Sequence, residues 1–302
     1  MAPRPGTCDG VLLLDKPAGY SSTQALARAK RFLGAAKAGH TGTLDPFATG
    51  LLPLVFGEAT KFSRFLIDAR KTYDAVLALG LETTSGDPEG EVVARREVAV
   101  DEKQVDAVLA RFVGPQQQVP PMHSAVHVNG RRLYEYARAG EAVERAPREI
   151  EIDSIRRLSL HGTQLAICVA CSKGTYIRSL AMDIGRALGC GASLTALRRT
   201  SVGPFRLEDA WTLEAVERDP ERARAALQPP ETLVAALPRL DTAGPEAQRF
   251  AHGQPIPGDG LAEGVDVAVF GPEGRFLGVG EGAAGGRVAP LRLMARNEPG
   301  CP

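Results

Sequence analysis

The chain has 302 residues, and its 36 Lys and Arg residues balance 36 Asp and Glu residues. This length is enough for a large core and for two domains. A content of 44% hydrophobic and 24% charged residues is that of an ordinary globular protein. The sequence has no signal-peptide pattern and no stretch long enough to span a membrane, so we expect a cytoplasmic location without membrane association.

The first half of the chain alternates predicted strands and helices. Ser21 or Ser22 can cap one helix and Asp101 another. In the third strand, alternation places Tyr73 and Leu77 on one face. The predicted strands cover residues 11–15, 51–56, 71–79 and 91–96, and the predicted helices cover 21–33, a short segment at 59–66 and a segment that follows residue 101.

The segment from 116 to 149 differs from its surroundings. It contains a Pro-Pro pair, few apolar residues and the hairpin signal Asn129-Gly130. Arg131 and Arg132 follow directly and give the segment a basic surface. We therefore predict an excursion from the main sheet.

Strand patterning resumes at 150–160 and 164–171. Thr175 can cap a helix that places Arg178 in its first turn. Cys168 and Cys171 form a C-x-x-C within the second of these strands, so their side chains point to opposite faces. Without a second pair or a nearby His, structural cysteines are a better interpretation than a metal or redox site, and we predict no metal. The five cysteines show no disulfide framework.

A change of character near residues 229–238 predicts a domain boundary. A short helix at 245–252 precedes three short strands at 265–270, 275–280 and 287–294, joined by Gly-rich turns. This pattern is typical of a small β-barrel. The sequence thus predicts an α/β or α+β domain over residues 1–238 and a small β domain over 239–302.

The stretch GHTGTLDPFATG at residues 39–50 carries one carboxylate, Asp45, among three glycines and directly before Pro46. Proline disfavours helix at the residue before it, so Asp45 is expected in an extended or turn conformation. The apolar strand at 51–56 follows. An acid on a rigid loop against a core is a plausible place for chemistry, but spacing alone favours a structural turn.

This stretch resembles the catalytic motif of the bacterial tRNA pseudouridine-55 synthases, the TruB family. The resemblance continues, in the family's order, in the segments LDKP at 14–17, GEATK at 57–61, VPPMHSA at 119–125, LYEYAR at 133–138, KGTYIR at 173–178 and LRR at 197–199. It implies a pseudouridine synthase fold, with a long mixed sheet and a central cleft. Segment 116–149 would close on an RNA stem-loop, and the tail would be a PUA-like domain, for which the match is weaker.

The resemblance implies isomerisation of uridine 55 in the T-loop of tRNA, a redox-neutral reaction that needs no cofactor. It implies that Asp45 is the essential acid and that Arg178 pairs with it. A carboxylate can act as nucleophile, stabilise positive charge on the sugar or act as a general base, and the sequence leaves these open.

Three further residues are expected at the base that the enzyme extracts. Tyr73 matches the tyrosine that stacks on it, with proton transfer at C5 as a second task; a core aromatic is the alternative. Leu197 matches the apolar residue on the opposite side, against a plain core leucine. His40 matches the histidine that fills the space of the extruded base, against a structural loop histidine. Tyr176 either lies beside Asp45 or packs inside.

Phosphate contacts need local positive charge. The basic segments coincide with the motifs: residues 172–206 hold six Lys and Arg against one acid, whereas residues 241–302 hold five against eight. The candidate phosphate contacts, each an ordinary surface charge if taken alone, are Lys16, Lys61, Arg131, Arg132, Lys173, Arg198 and Arg199. His127 stands where the family often has Lys, so one possible contact is lost.

The expected partner is the T stem-loop of tRNA, bound by a monomer without an obligate protein partner. An RNA-folding protein in which catalysis is secondary is the main alternative, and such folding help is also compatible with an enzyme. The third possibility is a related synthase for another RNA or in a ribonucleoprotein. Asp45 favours the enzyme, because a carboxylate among phosphates repels RNA.

Overall fold

The computed structural model describes residues 8–295 apart from 123, 125, 129, 142 and 259. Nineteen strands lie in the described part of the chain: β1 Gly10–Lys16, β2 Ala38–His40, β3 Thr49–Phe56, β4 Lys71–Leu79, β5 Leu81–Thr83, β6 Val92–Arg95, β7 Gly114–Gln118, β8 His127–Val128, β9 Arg131–Arg132, β10 Arg148–His161, β11 Gln164–Cys171, β12 Ala192–Val202, β13 Phe205–Arg206, β14 Trp211–Thr212, β15 Arg239–Asp241, β16 Ile256–Pro257, β17 Asp266–Phe270, β18 Phe276–Ala283 and β19 Arg287–Leu293.

The same residues form eight α-helices: α1 Ser22–Phe32, α2 Ser63–Ile67, α3 Glu102–Ala110, α4 Leu133–Arg138, α5 Ile177–Ala187, α6 Leu213–Arg218, α7 Pro220–Ala225 and α8 Gly244–Ala251. Short 3-10 turns cover Gly57–Phe62, Leu207–Asp209, Pro230–Val234 and Pro272–Gly274. Each α-helix in the described part is too short or too polar to cross a lipid bilayer.

A ten-stranded mixed sheet dominates the fold. Its order is β14-β1-β3-β12-β4-β11-β10-β7, with β2 added to β3 and β13 to β12. The apolar strand β3, whose residues from Gly50 onward are all buried, is an interior strand between β1 and β12. The loop with Asp45 enters β3, so that loop reaches the interior of the sheet.

Helices cover one face of this sheet. Ala25 and Ala29 of α1, Val105 and Leu109 of α3, and Leu180 of α5 belong to one apolar core with the inward residues of the strands. The predicted caps at Ser21 and Asp101 are confirmed, each forming a reciprocal bond pair with the glutamine three residues later.

The excursion predicted at 116–149 begins and ends inside the sheet. Residues 114–118 form β7 and pair with β10, so the chain leaves the sheet after Gln118 and returns at Arg148. Between them, β8 and β9 form the predicted hairpin, with Gly130 at φ +81° in its turn, and α4 follows.

The second sheet has five strands in the order β15-β17-β18-β19-β16. It packs on the other face of the large sheet, where Phe62 meets Phe276 with ring centroids 5.1 Å apart. The division of the chain into domains at residue 238 stays a prediction.

One local prediction is wrong. Thr175 does not cap α5, because its hydroxyl donates to the carbonyl of Ser172, 3.1 Å away, and Tyr176 occupies the N-cap position without a side-chain bond. The register of the helix is nevertheless as predicted, and Arg178 lies in its first turn.

Candidate active site

Three segments hold the loop that carries Asp45. The Ser22 hydroxyl, at the start of α1, donates to the Leu44 carbonyl at 3.1 Å and accepts from the Leu44 amide at 2.8 Å. The ammonium of Lys16 donates to the carbonyls of Tyr20 at 2.6 Å and Pro46 at 3.3 Å. The Ala48 amide closes the turn on the Asp45 carbonyl at 3.1 Å. The Asp45 backbone is therefore fixed on both sides.

Arg178 joins two carboxylates. Its Nε lies 3.1 Å from Oδ2 of Asp45, its Nη2 lies 3.2 Å from Oδ1 of the same group, and its Nη1 lies 3.2 Å from Oδ2 of Asp87. The first two contacts form the two-pronged geometry that suits a guanidinium and a carboxylate. The Arg178 and Asp87 side chains are 4% and 3% exposed, whereas that of Asp45 is 32% exposed. Only Asp45 can therefore meet a ligand.

The electrostatics of Asp45 follow from this arrangement. Burial raises the pKa of Asp45 above its ordinary value; Arg178 opposes the rise, Asp87 adds to it, and Lys16 opposes it again. Asp45 is thus a carboxylate whose charge depends on its cationic neighbours.

Asp87 is not among the predicted site residues; it lies between the predicted strands 71–79 and 91–96. Its Oδ1 accepts bonds from the Ser85 hydroxyl and, at 3.0 Å, from the Glu89 amide. Turn residues such as Asp usually bond their own backbone, and Asp87 does so while also holding Arg178. One signal is available in principle. A buried arginine such as Arg178 is stabilised when a second acid pairs with it, so a second acidic partner could be sought.

Tyr73 and Leu197 lie next to each other on the helix-covered face. Tyr73 is 8% exposed in β4, and Leu197 is 7% exposed in β12, where it stands opposite Ala75. Both belong to the main apolar core. Their burial therefore does not decide between core packing and base contact, because side chains at the edge of a core can also line a pocket.

Tyr176 is fixed through its backbone. The Gln118 side chain accepts from the Tyr176 amide at 2.7 Å and donates to the Tyr176 carbonyl at 3.1 Å. The residue is half-buried at the start of α5, two positions before Arg178. Gln118, not singled out in the sequence, thus links β7 to the start of the helix that carries Arg178.

His40 ends β2, where it pairs with Leu54 of β3. Its Nδ1 is buried without a hydrogen-bond partner among the described residues. Burial and the charge of Arg199 both lower the pKa of His40, which favours the neutral ring.

Comparison with known proteins supports a single family. Residues 30–177 match "TruB family pseudouridylate synthase (N terminal domain)", residues 178–235 match "tRNA pseudouridylate synthase B C-terminal domain", and residues 238–294 match "Pseudouridine synthase II TruB, C-terminal". The tRNA pseudouridine synthase B of Dechloromonas aromatica is 56% identical over 95% of each chain, and that of Ralstonia nicotianae is 53% identical over 94% of each.

The chain belongs to the TruB family of pseudouridylate synthases. It is thus an enzyme, and its fold is that predicted for this family, with a long mixed sheet and a small C-terminal β unit.

Solved structures agree with that fold. A chain of the crystal structure of a Cbf5-Nop10-Gar1 complex is 28% identical with a TM-score of 0.74, covering 96% of this chain and 85% of that one. A chain of an H/ACA RNP bound to a substrate RNA containing 2'-deoxyuridine is 28% identical with a TM-score of 0.73, covering 97% and 87%.

The structure corrects the prediction that Lys16 and Arg199 contact phosphates, whereas the role of Lys61 as a phosphate contact stays a prediction. Lys16 and Arg199 are 0% and 1% exposed, and both donate to carbonyls in and beside the loop that carries Asp45. Lys61 lies 2.6 Å from Glu58 and 3.1 Å from the Leu293 carbonyl, so it ties the two sheets together. The buried amine and guanidinium groups donate their hydrogen bonds to nearby backbone carbonyls. Their places in the motifs therefore reflect the internal structure of the protein.

The other basic candidates are accessible. The side chains of Lys173, Arg198 and Arg131 are 59%, 42% and 47% exposed, with ion pairs to Asp68, Asp15 and Glu141. Arg132 is exposed in the hairpin. Their role as phosphate contacts stays a prediction. In the described part of the chain, no group of three or more His, Cys, Asp and Glu side chains is arranged to hold a metal.

Proposed function

We propose that this pseudouridine synthase acts on tRNA and converts uridine to pseudouridine at position 55 of the T-loop. The names of its relatives, tRNA pseudouridine synthase B, support tRNA as the substrate. The position within tRNA rests on the resemblance of the catalytic motif. An enzyme that modifies tRNA works where tRNA is, so we propose a cytoplasmic location.

The observation that carries the mechanism is the carboxylate of Asp45. It is the accessible member of a buried Asp-Arg-Asp group, and Arg178 holds both of its oxygens. A uridine extracted from the T-loop would place its C1' near this carboxylate. Fixed in this way, the carboxylate is ready to act on the sugar without reorganisation.

In the reaction, the N1–C1' bond breaks, the uracil turns, and a C5–C1' bond forms. The C5 proton then leaves and N1 gains a proton, so the isomerisation is balanced without an oxidant. Asp45 would act on the sugar, either by covalent attack at C1' or by proton removal through a glycal. Tyr73 would stack on the uracil from one side and Leu197 would pack on the other, with Tyr73 available at C5.

Binding would use the accessible cations Lys173, Arg198, Arg131 and Arg132, together with the excursion of residues 119–147 closing on the T stem-loop. His40 would fill the space of the extruded base, and Tyr176 would lie beside Asp45 at the start of α5.

We propose a monomer without an obligate protein partner, built from a catalytic domain over 1–238 and a PUA-like domain over 239–302. Holding the opened loop would also assist tRNA folding.

Release of tritium from tRNA labelled at C5 of uridine tests this proposal, since the C5 proton is lost during the reaction. The wild type should release one equivalent per tRNA. Asp45→Asn, which preserves shape and removes the charge, should lower the rate by about 10³-fold or more while binding is retained. No release by the wild type would overturn the enzyme assignment on tRNA, and a fully active Asp45→Asn variant would overturn the role of Asp45.

A further inference from the structure

Arg199 and Tyr73 are direct cross-strand neighbours. In the antiparallel register of β12 and β4 they are Cα partners, so their side chains project from the same face of the sheet. Arg199 is 1% exposed, which is unusual for a permanently charged side chain. Such burial requires hydrogen-bond partners for the guanidinium.

Those partners lie on both sides of Asp45. The Arg199 Nε donates to the Leu51 carbonyl at 2.7 Å, and its Nη2 donates to the Gly42 carbonyl at 3.0 Å. In the part of the chain that the structure describes, Arg199 has no ion pair with a carboxylate within 4 Å. One guanidinium therefore closes the loop of residues 42–51 by holding its two ends.

The backbone of Arg199 supports the same loop. Gly50 stands opposite Arg199 in the parallel pair of β3 and β12. Its φ is +101°, and a Cβ at this position would lie 2.3 Å from the Arg199 carbonyl oxygen. Glycine is needed here for both reasons, and the close approach seats the end of the loop directly on Arg199.

The guanidinium also acts on Tyr73. Burial raises the pKa of Tyr73, and the charge of Arg199, its cross-strand neighbour, opposes that rise. Burial lowers the pKa of Lys71 to about 8, and the charge of Arg199 contributes to that fall. The charge of Arg199 thus acts on both Tyr73 and Lys71.

We propose that Arg199 is a positioning residue, which holds the Asp45 loop in a fixed relation to Tyr73, its cross-strand neighbour. The inference rests on the proposed function, because the two groups it aligns are those assigned to opposite ends of the reacting uridine: Asp45 at the sugar and Tyr73 at the base. Arg199 itself does not touch RNA.

A double-mutant cycle tests this role. Single-turnover rates and tRNA dissociation constants are measured for the wild type, Arg199→Gln, Tyr73→Phe and the double variant. We expect Arg199→Gln to slow the reaction roughly 10- to 100-fold, as misplacement of reacting groups does, with a dissociation constant within about twofold of the wild type. In the Tyr73→Phe background, the same substitution should cost much less, because one of its two effects is already lost.

Three outcomes would overturn the inference. An unchanged single-turnover rate in Arg199→Gln would show that the alignment does not matter. Equal losses in both backgrounds would show that Arg199 does not act through Tyr73. A lost affinity with an unchanged rate would assign Arg199 to RNA binding instead, and would also contradict the inference. Arg157→Gln is the matched control, since Arg157 is a largely buried arginine paired with Asp106 on α3, and it should leave the rate unchanged.

A second measurement does not depend on activity. In protein labelled with ¹³Cζ-tyrosine, the Tyr73 resonance is identified by its loss in Tyr73→Phe, without RNA present. It should move in Arg199→Gln, move less in Arg199→Lys, which keeps the charge without the planar fork, and stay in place in Arg157→Gln. An unmoved resonance in folded Arg199→Gln would show that Arg199 does not act on Tyr73, whereas a moved resonance in an enzyme inactive on tRNA would refute only the proposed function.

Discussion

Nη1 of Arg178 lies 3.2 Å from Oδ2 of Asp87, and both side chains are almost fully buried. The pair fixes the guanidinium from behind, so that Nε and Nη2 face Asp45. Without Asp87, one buried cation would meet one partly exposed carboxylate, and the geometry of that pair would be free to change. Asp87 therefore orients Arg178, and Arg178 orients Asp45.

The first prediction concerns Asp87→Asn, which keeps the shape of the side chain and removes its charge. Removing the sole partner of a buried ion costs about 3–5 kcal/mol; the loss of unfolding free energy should be smaller here, because Asp45 still pairs with Arg178. We expect the single-turnover rate to fall roughly 10- to 100-fold with little change in tRNA affinity. Asp106→Asn, which breaks the exposed pair with Arg157, is the control and should retain the wild-type rate. Equal rates in Asp87→Asn and the wild type would contradict this role.

The second prediction concerns pH. Because burial raises the pKa of Asp45 in the folded protein, the ionised carboxylate is lost as pH falls through a value above that of an ordinary aspartate. The acid limb of kcat/KM should therefore lie at higher pH than a free aspartate would give. Asp87 contributes to the rise, so Asp87→Asn should shift this limb to lower pH. A limb that stays in place would show that Asp87 does not act on Asp45 by charge.

The raised pKa of Asp45 also predicts an effect on the free energy of unfolding. A paired aspartate with a lowered pKa stabilises the folded protein at neutral pH, whereas Asp45 should destabilise it. A raised folded-state pKa means that the charged form of Asp45 is disfavoured by folding, so this cost is present at neutral pH and disappears as pH falls through the folded pKa. Asp45→Asn should accordingly unfold at a temperature equal to or above that of the wild type at pH 7. A clear fall in the melting temperature would contradict this sign.

Much of this site could be predicted from the sequence, and the part that could not has a physical reason. The Asp45 loop, its buried strand and the place of Arg178 in the first turn of α5 follow from local pattern and motif. Asp87 was missed because its turn chemistry conceals a long-range contact. Lys16 and Arg199 have the sequence pattern of surface charges, because their partners are backbone carbonyls of Pro46, Gly42 and Leu51, which no side-chain pattern reveals.

The third prediction concerns Lys61, which lies in a segment that resembles a family motif but makes contacts inside the protein. Its ammonium links Glu58 to the Leu293 carbonyl of the second sheet. Lys61→Gln should lower the free energy of unfolding by about 1 kcal/mol and leave the salt dependence of tRNA binding unchanged. Chemical denaturation and binding at several salt concentrations measure the two effects, and a changed salt slope would support Lys61 as a phosphate contact.

Lys173 provides the contrasting fourth prediction. Its side chain is 59% exposed and pairs with an equally exposed Asp68, so little stability depends on it. Lys173→Gln should weaken tRNA binding and reduce the slope of log K against log salt by about 1, as expected for one lost phosphate contact. Asp68→Asn, which frees the Lys173 ammonium, should strengthen binding at low salt. Slopes identical to the wild type would remove Lys173 from the RNA surface.

The most direct test of the account is to map pseudouridine by chemical labelling and primer extension in two tRNA transcripts, one with uridine at position 55 and one with cytidine there. Wild-type enzyme should produce a single pseudouridine at position 55 of the first transcript and none in the second, and Asp45→Asn should produce none in either while still binding both. Pseudouridine at another position, or its formation by Asp45→Asn, would contradict the assignment of this site to the T-loop uridine and to the carboxylate that Arg178 and Asp87 hold in place.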